Sequence, residues 1–156
     1  MKLTVRTLFV LAFAAVLMTY SGCKKSKSEA EPVTDQQIDL LNNGGTSWKV
    51  QQVTRDGNDT TVVWQSFLFT LAGVHGSTSV PYSCTGRPTT SCWESSGSLI
   101  LSATNPTTQM TRDDGVLITY SVTSTQLKMS FTFSNTTGYS RVANVTGNWV
   151  FTLIPN

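Results

Sequence analysis

Charge is what this chain of 156 residues has least of: 13% of its residues are charged, about half the ~25% of an average soluble protein. Helical repeats and coiled coils are built from Glu, Lys, Ala and Leu, so both are excluded. Histidine occurs once, as His75, and any Ser-His-Asp triad would have to use it. His75 lies between Gly73 and Gly76 in an expected hairpin turn, where a base is loosely held, so no catalytic residue is assigned and no enzyme is expected. No glycine-rich phosphate loop follows a strand and opens a helix, which leaves nucleotide binding without support. A long hydrophobic run is also missing. Leu8 to Met18 is an unbroken apolar stretch of 11, short of the about 20 residues a spanning helix needs. What the chain does have is Ser and Thr at more than a quarter of its positions, with 39% hydrophobic and 10% aromatic residues. That apolar content argues against bulk disorder.

The apolar stretch, preceded by Lys2 and Arg6, suits the core of a secretory signal. Ser21 and Gly22 before Cys23 resemble a bacterial lipobox, where the thiol is diacylated (palmitate) and the chain is cut ahead of it. Tyr20 stands where leucine is usual, and an ordinary signal peptide with a chance cysteine is the alternative. The expected division is a lipoprotein signal peptide over 1–22, a lipidated flexible tether over 23–33, and a folded domain over 34–156. The tether is polar and holds the domain off a membrane, with Lys24, Lys25 and Lys27 forming a small basic patch. The expected location is the cell envelope, lipid-anchored at the outer membrane, with the face left open.

Processing alters the charge. The +2 of the whole chain becomes zero once Lys2 and Arg6 are gone. Without the tether, six basic residues (Lys49, Arg55, Arg87, Arg112, Lys128, Arg141) face seven acidic ones. Nucleic-acid binding needs a basic stripe, and this near-neutral domain has none.

With Cys23 lipidated, Cys84 and Cys92 remain as a pair in a Pro/Thr/Ser/Gly loop. In an oxidising envelope they are expected to form a disulfide, contributing about 2–3 kcal/mol by loop-closure entropy. Two thiols and one histidine do not complete a tetrahedral metal site, and the spacing is not the C-x-x-C of a redox motif. No metal and no cofactor are assigned.

Thr34 to Asn43 is the one helical candidate of the mature chain, capped by Thr34 or Asp35, with Ile38, Leu41 and Leu40 on its apolar stripe and Gly44 at its end. From Trp48 onward the pattern is period two. The expected strands are Trp48–Thr54, Thr61–Leu71, Thr78–Ser83, Trp93–Ala103, Thr108–Arg112, then the alternating runs about Tyr120 and Met129, and a last strand carrying Trp149, Phe151 and Leu153. Asp56-Gly57 and Asp113-Asp114-Gly115 are hairpin turns; neither has the ligand spacing of a calcium loop. The fold class expected is all-β: an antiparallel up-and-down barrel of about eight strands with one short N-terminal helix. A sandwich is the alternative closure.

The order of these motifs resembles the lipocalin-like domains of small Bacteroidota lipoproteins: a short helix, then Gly45-Thr46-Ser47-Trp48, Asp56-Gly57, Phe67-x-Phe69-x-Leu71, Trp93-x-x-Ser96-Gly97, Arg112-Asp113-Asp114-Gly115, Leu127-x-Met129-x-Phe131, and Arg141-Val142-x-x-Val145-x-Gly147-x-Trp149-x-Phe151. The resemblance covers about residues 36–154. It implies a barrel-closing stack of Arg141 on Trp48. Asp59-Thr60-Thr61 also resembles a short Bacteroidota O-glycosylation acceptor, with Thr60 as the acceptor.

Eight strands enclose an interior that side chains fill or that holds one small ligand. The inward candidates are Phe67, Phe69, Tyr120, Met129, Phe131, Trp149 and Phe151. Two functions follow: a binding module for a small apolar or amphipathic ligand inside the barrel, or an accessory protein with a filled barrel that presents loops to another envelope component.

Overall fold

A computed structural model describes residues 30–134 and 145–156. Helix α1 (Val33–Asn42) precedes strands β1 (Trp48–Arg55), β2 (Asn58–Asp59), β3 (Leu68–Leu71), β4 (Ser79–Thr85), β5 (Ser96–Leu101), β6 (Gln109–Arg112), β7 (Leu117–Val122), β8 (Leu127–Phe133) and β9 (Gly147–Pro155). The strands run in the order β2-β1-β3-β4-β5-β6-β7-β8-β9, every pairing is antiparallel, and β1 also pairs with β9. Eight strands therefore close into an up-and-down barrel, with β2 a two-residue hairpin arm on β1. This is the expected fold class.

Alternation writes the inside and outside of the wall. Along β8, Leu127, Met129, Phe131 and Phe133 are buried while Lys128, Ser130 and Thr132 are exposed. Along β4, Val80, Tyr82 and Cys84 are buried between exposed Ser79, Pro81, Ser83 and Thr85. The solvent face is largely Ser and Thr, β-branched or small residues that suit an outward strand position without charge. That is where the missing charge went.

Helix α1 covers one end of the barrel. Helix α1 lies at the end where β1 begins: Ile38 and Leu41 are fully buried, and the Trp48 indole donates to the Leu41 carbonyl at 2.8 Å. Asn42 holds both backbone groups of Gly73, accepting its N–H at 2.8 Å and donating to its carbonyl at 2.9 Å. The helix starts one residue before Thr34, and its cap is not a side chain. The Pro32 carbonyl accepts from the N–H groups of Asp35 and Gln36. Asn43, at φ 49°, and Gly44, at φ 62°, turn the chain out of the helix.

The opposite end differs from expectation. Thr61–Leu71 is not one strand. Thr61–Trp64 forms a turn of 3-10 helix, and only Leu68–Leu71 joins the sheet. β1 pairs with β3 only at Trp48 and Lys49. Where that pairing stops, the 3-10 turn takes over: Thr61 Oγ1 accepts the Val53 N–H at 3.0 Å, and the Val53 carbonyl accepts from the Thr60 N–H at 2.9 Å. The turn drives Trp64 into the interior and leaves Val62 and Val63 outside. The strand expected from Trp93 begins instead at Ser96, which frees Trp93 to enter the core. Cys84 lies within β4 rather than in the following loop.

Candidate functional sites

All seven inward candidates (Phe67, Phe69, Tyr120, Met129, Phe131, Trp149 and Phe151) are buried. Most of them touch one another. Trp64 stands edge-on to Phe151 at 4.8 Å, to Phe67 at 5.3 Å and to Trp149 at 5.7 Å between ring centres. Trp93 lies 4.9 Å from Phe69, 5.4 Å from Tyr82 and 5.4 Å from Phe131. Phe131 stacks on Phe151 at 6.0 Å. These separations fall in the range of favourable aromatic pairs, so the rings pack against one another across the barrel. Among the described residues, the buried indole N–H groups of Trp64 and Trp93 have no oxygen acceptor. The edge-to-face rings about them offer π faces, a weaker substitute. Toward the helical end, the Tyr120 hydroxyl donates to the Pro106 carbonyl and meets Gln37 Oε1 at 3.3 Å. Burial pushes this phenol up to about 12.

Sequence reasoning missed the most distinctive group in the barrel, Arg112. It is the buried charged residue of the described core, 2% exposed. Its Nε and Nη2 donate to the two Asp114 carboxylate oxygens at 2.9 and 2.7 Å, and its Nη1 donates to the Cys92 carbonyl at 2.7 Å. The guanidinium lies over Trp93 at 4.9 Å, Phe133 at 5.4 Å and Phe131 at 5.6 Å. Burial alone disfavours both charges. The paired hydrogen bonds outweigh it, so Arg112 is raised above its ordinary value and Asp114 is held below the usual carboxylate range. Asp114 also accepts the Val116 N–H at 3.2 Å, so one carboxylate shapes the turn and neutralises the arginine.

An arginine–tryptophan contact lies toward this barrel end, formed by Arg112 and Trp93. A second pairs Arg55 with Trp149 at 5.5 Å. Trp48, proposed for that part by resemblance, sits at the opposite end under α1, and Arg141 lies outside the described residues. The nearest sequence signal was a lone arginine placed two residues before the second acid of a turn.

Cys84 and Cys92 stand as separate buried thiols, 6% and 2% exposed, where a disulfide was expected. Burial pushes Cys84 up to about 12 and raises Cys92 further, against the opposing pull of Arg112. Cys92 is held at its backbone by Arg112, and its neighbour Trp93 accepts from Arg87 at 2.5 Å. Cys23 lies outside the described residues. Thr60 is half-buried, its hydroxyl 3.3 Å from the Val53 carbonyl.

His75 is exposed in the β3–β4 turn. Its Nε2 is 2.8 Å from Asp39 Oδ1, and its Nδ1 is 3.9 Å from Glu31 Oε1. The Asp39 hydrogen bond raises the imidazole above its ordinary value. On the outer wall, a polar groove of about 530 Å³ runs over β1, β9 and β8 beside the 3-10 turn. The chain matches no family model, no curated protein and no solved structure. The fold and the interior therefore define its class without outside help: a closed antiparallel barrel with an aromatic interior and a buried Arg112–Asp114 pair.

Proposed function

We propose that this protein is a non-catalytic, lipid-anchored accessory protein of the cell envelope, whose filled barrel works through its outer wall and loops on another envelope component. One observation carries the choice over an internal ligand. Trp64, Phe67, Phe69, Trp93, Phe131 and Phe151 lie in mutual contact across the barrel, helix α1 covers one end, and Arg112 packs over Trp93 toward the other. Ligand pockets of about 300–1,000 Å³ would require several of these rings to leave. The anchor reading rests on Leu8–Met18 and Ser21-Gly22-Cys23. Lipid on Cys23 and a polar tether would keep the barrel at the outer membrane while leaving its surface free.

The test has two arms. A fluorescent apolar probe titrated into the purified protein should show no saturable binding; a stoichiometric site would restore the internal-ligand reading. Cys23→Ser should lose lipid labelling and leave the membrane fraction. Membrane retention by that variant would refute the anchor.

A further inference from the structure

The outer groove has a construction that the filled interior does not explain. A bulge between Val50 and Gln52 breaks the register of β1 against β9, and in consequence Gln51 and Gln52 are both exposed instead of alternating. Gln126, at the turn before β8, donates to Gln51 Oε1 at 3.3 Å. Gln52, Thr152 and Lys128 lie side by side across β1, β9 and β8, forming the floor. Asp59, whose carboxylate accepts the Thr61 N–H at 2.8 Å, stands in the wall raised by β2 and the 3-10 turn. Lys128 also lines a second hollow of about 180 Å³ with Thr119, Ser121 and Ser130. The two hollows thus meet at this lysine, which makes no ion pair among the described residues.

This chemistry selects a ligand class. Three primary amides and several hydroxyls offer donors and acceptors together, matching vicinal hydroxyl groups. The floor strands are paired with each other, so no free edge is available to a peptide strand. With one cation and one carboxylate, the groove lacks the charge that a polyphosphate requires. We propose that the groove binds an acidic oligosaccharide, with glutamine amides on the sugar hydroxyls and Lys128 on a uronate carboxylate. The proposal rests on the reading that the outer wall, not the interior, is the working surface.

The test is an NMR titration of the full-length protein with digalacturonate, with cellobiose as the neutral comparison. Digalacturonate should shift the side-chain amides of Gln51, Gln52 and Gln126 with a Kd on the order of a millimolar, as suits an open, solvated groove. Lys128→Gln should weaken digalacturonate about threefold and leave the weaker cellobiose response unchanged. Gln52→Ala should weaken both. Absence of shifts with either sugar, or shifts that map elsewhere, would overturn the site. Equal affinity for the two sugars, unaffected by Lys128→Gln, would overturn the acidic specificity. Neither failure touches the filled-barrel reading, which stands or falls on the apolar probe.

Discussion

At the scale of single residues, Arg112 and Asp114 decide as much as any aromatic side chain. Removing one member of a buried ion pair strands the other, at a cost of about 3–5 kcal/mol. Asp114→Asn should therefore lower the urea midpoint sharply, whereas Arg112→Met combined with Asp114→Leu should recover most of the loss. The pH dependence has a fixed sign. Asp114 is depressed in the folded state, so its stabilisation is complete above the ordinary carboxylate value of about 3.9. It is lost as pH falls through that value toward the folded one. Urea titrations of wild type and Asp114→Asn should converge as the pH falls from 7 to 3. None of this was legible beforehand. A charged residue next to a turn is usually solvated, and only the tertiary fold brings Trp93 and Phe133 over Arg112. The cysteines are buried as well. Spacing and compartment argued for a bond, while burial keeps both groups protonated and poor nucleophiles. Folded, reduced protein should resist both a thiol reagent and an external disulfide oxidant until urea opens it. Oxidation during refolding should yield the cross-linked form, two mass units lighter (one hydrogen lost per thiol), by mass spectrometry.

At the scale of elements, the strands were legible because one buried face imposes period two, and β7, β8 and β9 follow it closely. Thr61–Leu71 was not. Its valines read as strand residues, but Val62 and Val63 are 74% and 57% exposed because the chain winds into a 3-10 turn to deliver Trp64. Only the short reach of β1–β3 pairing makes that turn necessary, and pairing reach is a property of the closed sheet. Trp64→Ala should accordingly behave as a core truncation and cost about 3–5 kcal/mol, measured by chemical denaturation. Val62→Thr should be near neutral, as suits an exposed position. Gly86 marks a second close approach at this end. A Cβ there would meet the Ser66 carbonyl oxygen at 1.8 Å, at a φ of 62°. Gly86→Ala should therefore destabilise by more than the Cβ strain alone, about 1–2 kcal/mol, through displacement of the segment leading into β3. The helix was read nearly to the residue, since Ile38, Leu41 and the Asn-Gly exit are local signals. Its partners Trp48 and Gly73 are not local, and its lid role emerged only with them.

At the scale of the whole molecule, closure couples everything. β1 and β9 pair over seven matched positions, from Trp48–Pro155 to Arg55–Trp149, so the first and last strands each supply the other's missing partner. A chain ending at residue 146 would expose the edges of β1 and β8 at once, the arrangement most prone to intermolecular pairing. It should be recovered as aggregate rather than as a seven-stranded barrel. Closure also forbids the two ends from melting separately. Trp48 reports the helical end, while Trp64, Trp93 and Trp149 report the arginine end. Both sets are tied through the same strands, β1 and β9 above all. Replacing Trp48 with Phe leaves fluorescence from the arginine end alone, and far-UV circular dichroism follows the sheet as a whole. Urea transitions by the two probes should coincide in that variant, as a two-state domain requires. A fluorescence midpoint displaced from the dichroism midpoint would mean that the arginine end opens independently. In that case the aromatic interior would be reachable from that end without global unfolding, and the outer wall would lose its claim to be the sole working surface.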